Sequence, residues 1–211
     1  MFTLLYAICG VFGDREGVAR ALRRVVVANN FRLPIALTWV KHLGIPYDIV
    51  KPEIATTHNI GEAYAYMQWI VENYDKLPEY TVFLSDAGPH HWHVVQSWYP
   101  LVKSAQPRCY EASGTSLPEK WRRCYLVDCL HDEWPCMRNI LSAFNLTFDR
   151  KQIDLVQGNE FVLADKAVRS HPKNEYQHMI AMMRDKSNSC SSQKWGYALD
   201  RLKRLIWHNC N

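Results

Sequence analysis

The chain has 211 residues, a length that suits one domain. Its 26 Trp, Tyr and Phe residues and few Gly and Pro exclude a disordered, collagen-like or low-complexity chain. The net charge is +4 with no long run of like charge, so no nucleic-acid footprint and no polybasic membrane patch is indicated.

The first eleven residues after Met1 are largely apolar, Phe2 to Phe12. This stretch has the size of a signal-peptide core and is too short to span a bilayer, so residues 1–13 are expected to form a leader segment. A cut after Cys9 or Gly13 leaves six cysteines, at 109, 124, 129, 136, 190 and 210. With the Asn145-Leu146-Thr147 acceptor pattern, this points to the secretory pathway (the ER or Golgi lumen) or the extracellular space, with up to three disulfides. Six cysteines allow 15 connectivities, and nothing in their spacing chooses among them. A cytosolic chain with buried thiols stays open as an alternative. Zinc fits poorly, since Cys124, Cys129 and Cys136 contain no CxxC pair.

Residues 24–28, Arg-Val-Val-Val-Ala, read as a strand buried on both faces. Helical apolar spacing follows over 33–43 and stops at Gly44. A second strand is predicted at 47–50. The clearest segment comes next: Ala63, Tyr66, Met67, Ile70, Val71 and Tyr74 recur at helical spacing. Asn59 and Glu62 are arranged as a capping box. Pro78 disfavours helical geometry at Leu77, which ends that helix near Tyr74. Residues 80–84 form a third strand running into Ser85-Asp86-Ala87-Gly88. Strand, helix, strand, helix, strand implies crossover connections and a mostly parallel central sheet flanked by helices. Residues 106–123 read as loop, 132–144 as helix, 161–164 as strand, and 195–208 as a helix with one apolar stripe. Asp200 falls opposite that stripe, on the side expected to face water.

Ligands on such sheets bind where the parallel strands end. Three loops should share that rim: Asn29-Asn30, residues 52–61, and residues 85–93 with Asp86, His90, His91 and His93. A carboxylate and imidazoles there suit a divalent metal or acid–base work, although solvated loop histidines fit the same residues. The helix start at Asn59–Gly61 suits a phosphate or diphosphate, and it also accounts for itself as a cap. GxSxG, GxGxxG and GxxxxGK[ST] are all missing, which disfavours α/β-hydrolase, Rossmann-dehydrogenase and P-loop chemistry.

Residues 59–70 (NIGEAYAYMQWI) with 74–84 (YDKLPEYTVFL), then 158–164 (GNEFVLA) with Pro172 and Tyr176, then 196–202 (GYALDRL) with Trp207-His208, resemble in order the motifs of the DUF3431 family. The resemblance covers about residues 24–208. It implies a single α/β domain with a GT-A or Rossmann-like layout, similar to nucleotide-sugar glycosyltransferases. By that similarity Asp86 would hold Mn²⁺ or Mg²⁺; His90 and His93, on the same rim, are read as its helper ligands. Asn29, Asn59 and Gly61 would approach the nucleotide, and Asp86, His91 and Asp200 would serve catalysis. The partners implied are a nucleotide-sugar and a glycan or other hydroxyl acceptor. Two departures stand out: Asp86 is followed by Ala87 and Gly88 rather than completing a DxD, and Glu160 and Asp200 stand where the family has Gln and Glu. A secreted structural or glycan-binding protein that kept the fold without the chemistry is the other expectation.

Overall fold

A computed structural model describes residues 23–28, 37–51, 61–86, 102–103, 105–112, 134–147, 160–185 and 187–210. The expected leader, Cys124 and Cys129 lie outside them. β1 (Arg23–Ala28), β2 (Tyr47–Val50), β3 (Tyr80–Ser85), β4 (Tyr110–Ala112) and β5 (Phe161–Ala164) form one sheet in the order β2-β1-β3-β5-β4. The helices are α1 (Thr38–Lys41), α2 (Gly61–Asn73), α3 (Trp134–Ala143), α4 (Asp165–Arg169), α5 (Lys173–Arg184) and α6 (Ser192–Trp207).

The strands form because their side chains alternate between two apolar layers, as a period of two requires. Val25, Val27, Val82, Leu84 and Val162 pack with Val40 and Leu43 of the α1 region. Val26, Ala28, Phe83, Phe161 and Leu163 face the larger layer built from α2, α3, α5 and α6. The α1 turn ends at Gly44, whose φ of +63° is reached without strain by glycine. α2 gives way to a 3₁₀ turn, Tyr74–Lys76, and Leu77 is extended at ψ 137° ahead of Pro78, as the proline demands. Asp48 ties three elements together: it accepts from Arg24 Nη1 at 2.7 Å on β1 and from Trp69 Nε1 at 2.8 Å on α2.

The sheet corrects one expectation. β1 pairs in parallel with β2 and β3, but β5 pairs antiparallel with β3 and with β4. The sheet is therefore mixed rather than mostly parallel. Short strand–helix–strand crossovers force parallel pairing among β1, β2 and β3. The long stretch between β3 and β5 imposes no direction, and four fully buried residues read alike either way. β4 also lies inside a segment expected to be loop. Its three residues carry little local signal and are placed by pairing with β5 and by the Cys109–Cys210 disulfide (Cα–Cα 5.7 Å). A second disulfide, Cys136–Cys190 (Cα–Cα 5.6 Å), ties α3 to the segment before α6. Two bridges among the described residues are consistent with a secreted or lumenal protein. No described helix is long and apolar enough to cross a membrane.

Stacked aromatic rings join the sheet to the helical layer. Phe83 stacks on Phe161 at 4.9 Å, and Phe161 on Trp207 at 5.4 Å. Trp207 Nε1 donates to the Tyr176 hydroxyl at 3.1 Å, which donates to the Val168 carbonyl at 2.9 Å. Each such ring pair contributes about 0.5–1.5 kcal/mol beyond the area it buries.

Candidate functional site at the strand-end rim

β1, β2 and β3 end on one rim, and the crossover places the start of α2 there. β5 runs the other way and begins there. Asp86 directly follows β3 and is only 4% exposed; Ser85 before it is 1% exposed. Phe83 is registered with Phe161, so one rung further on Leu84 lies beside Glu160, which is 1% exposed. Two acids are thus set on adjacent strands at the mouth of the seam. α2 opens at Gly61 with φ +69°, a backbone conformation suited to glycine, and carries Glu62 in its first turn.

Tyr66, one helical turn beyond Glu62, packs edge-on against Phe83 (5.1 Å) and Phe161 (5.6 Å) above the β3–β5 seam. Burial, and then the carboxylates of Glu62, Glu160, Asp86 and Asp200, hold its phenol well above the usual range. The group is neutral and a hydrogen-bond donor. Its hydroxyl is buried without a partner among the described residues, and so is the Ser85 Oγ. A buried hydroxyl left unpaired costs about 1–3 kcal/mol, so each is a donor that a bound group could satisfy.

α6 closes the site from the helical layer. Lys203 Nζ lies 5.4 Å over the Phe161 ring and donates to Asp200 Oδ1; Arg201 Nη1 donates to Asp200 Oδ2 at 3.1 Å. Asp200 was expected to face water, yet it is 7% exposed, and every residue from Ala198 to Lys203 is buried. The wheel reading counted charged residues as solvated. Here they are buried because they pair with one another. The Tyr110 hydroxyl is also buried without a partner among the described residues, its phenol raised first by burial and then by Asp200.

Of the site residues expected from the sequence, Asp86, Gly61 and Asp200 are described: Gly61 opens α2, Asp86 follows β3, and Asp86 and Asp200 both act on the Tyr66 phenol. Asn29, Asn59, His90, His91 and His93 lie outside the described residues. Sequence reasoning missed Glu160 as a site residue and took Tyr66 for core. An acid immediately before an all-buried strand was the available signal for Glu160. Among the described residues no group of three His, Cys, Asp or Glu could hold a metal ion. A divalent ion with Asp86 or Glu160 as ligand would complete its shell from other donors, such as substrate phosphates and water, as Mg²⁺ commonly does. Elsewhere, α2 and α5 flank an open groove of about 600 Å³, where Arg184 Nε donates to the Tyr64 hydroxyl at 2.8 Å.

Residues 38–211 match the DUF3431 family, described as a protein of unknown function, and the chain belongs to that family. No curated protein and no solved structure matches the chain.

Proposed function

We propose that the chain is a metal-assisted transferase with a GT-A-like layout. In this reading it binds a nucleotide-sugar at the rim and passes the sugar to a hydroxyl of a glycan or other acceptor. The observation that carries the reading is the pair of buried acids, Asp86 and Glu160, near the buried hydroxyls of Tyr66 and Ser85, which lack partners among the described residues. Bound Mn²⁺ or Mg²⁺ would supply charge neutralisation of the leaving diphosphate. Asp86 would hold the ion through carboxylate oxygen, aided by His90 or His93, which follow it closely in the chain. Tyr66 and Ser85 donate hydrogen bonds to ligand oxygens, and Tyr66 can do so because its phenol stays protonated. Asn29, Asn59 and Gly61 take the nucleotide side. His91 is assigned to accept the acceptor hydroxyl's proton. Asp200 works by holding Lys203 beside the rim.

The saturation of Asp200 by two cations favours a second reading, a non-catalytic secreted structural or glycan-binding protein. One measurement separates the two: thermal unfolding with uridine, guanosine and cytidine diphosphates, each with and without Mn²⁺. The transferase reading expects a rise in Tm that needs both metal and nucleotide and vanishes in Asp86→Ala. No rise with any of them, or a rise retained in that variant, rejects it.

A further inference from the structure

We propose that Asn145 is an N-glycosylation site, taking an oligosaccharide from a lipid-diphosphate donor. Asn145-Leu146-Thr147 has the Asn-x-Thr form that this transfer reads. The structure adds the geometry. α3 ends in a Schellman cap: Leu146 N–H donates to the Leu141 carbonyl at 2.8 Å and Asn145 N–H to that of Ser142 at 3.3 Å, with Asn145 at φ +49°. Leu146 packs against the core and pins the turn, while Asn145 and Thr147 on either side are exposed. The capping role explains an asparagine at positive φ. It does not explain an exposed threonine two residues on.

The Asn145 amide is at the surface, where its Nδ2 donates to Glu175 Oε1 at 3.0 Å. An N-linked amide keeps one N–H, so a donor remains at Nδ2 after the modification. In the transfer, Nδ2 forms a bond to the sugar's anomeric carbon and the carbon–oxygen bond to the diphosphate breaks. The amide proton leaves to a base of the transferring enzyme, and no oxidant or reductant is involved. Two disulfides independently fit the compartment in which such transfer occurs.

The position also leaves the rim clear. Glu175 Oε2 pairs with His171 Nδ1 at 2.8 Å, and the His171 carbonyl accepts from the Tyr74 hydroxyl at 2.7 Å, just past the end of α2. The rim lies at the other end of α2, about 20 Å away at 1.5 Å per residue. A glycan on Asn145 is therefore carried on the pole opposite Asp86.

The test is expression of the full chain through a eukaryotic secretory pathway, followed by peptide-N-glycosidase digestion and mass mapping. One glycosidase-sensitive step is expected, with Asn145 converted to Asp. The step should be lost in Asn145→Gln and in Thr147→Ala and retained in Thr147→Ser. Thr147→Ala leaves the Asn145 cap in place, so its loss of the step cannot be ascribed to a broken turn. An unshifted wild-type chain, or a step that survives Asn145→Gln, overturns the assignment. Neither outcome bears on nucleotide binding, which rests on other residues.

Discussion

Replacing Asp200 by Ala removes the acceptor shared by Lys203 and Arg201. Lys203 is 1% exposed and Arg201 5%, so neither can turn to water without opening the layer between α6 and the sheet. Breaking a buried pair by deleting one partner costs about 3–5 kcal/mol, because a charge is left in a medium that solvates it poorly. For a chain of this size each kcal/mol moves Tm by about 2–4 °C, so the expected fall is about 6–20 °C. Urea unfolding, followed by tryptophan fluorescence because Trp195 and Trp207 are buried on the same helix, gives the free energy directly. Asp200→Leu combined with Lys203→Met should recover part of the loss, since it removes one of the two stranded charges and leaves Arg201 to account for the remainder. An Asp200→Ala protein within about 1 kcal/mol of wild type would refute the claim that this pair is desolvated.

Tyr66→Phe should stabilise the ligand-free protein by about 1 kcal/mol, because it removes a buried hydroxyl with no partner among the described residues and keeps the ring contacts with Phe83 and Phe161. The same variant should blunt any nucleotide-dependent rise in Tm, and a destabilised Tyr66→Phe protein would show that the hydroxyl is already satisfied. Removing Cys109–Cys210 as a double alanine variant should cost about 2–5 kcal/mol, roughly 0.5 kcal/mol more than removing Cys136–Cys190, because its loop spans 101 rather than 54 residues. Urea unfolding of both variants checks the order.

The first half of the sheet was legible because its signals are local. Val25 to Ala28 is apolar without interruption, α2 repeats its apolar residues at helical spacing, and Gly44 and Pro78 stop their helices for stereochemical reasons visible in the residues themselves. The reversed β5 and the three-residue β4 depend on pairing between residues far apart in the chain, which periodicity does not encode. α5 escaped notice although Tyr176, Met179, Ile180 and Met183 follow helical spacing, because charged and amide residues dilute that stripe. The candidate site divides in the same way. Asp86 was legible as an acid just beyond a buried strand. Tyr66 looked like core because its ring is core, and only its hydroxyl is not. Asp200 was assigned to the solvent side by a rule that tracks apolar residues and cannot register buried charges that neutralise one another.

The bond between Cys109 and Cys210 fastens the far end of α6 to the edge strand β4. Loss of Cys210 would therefore sever a covalent ring that encloses α3, β5 and α6, and would unfasten the helix that carries Lys203.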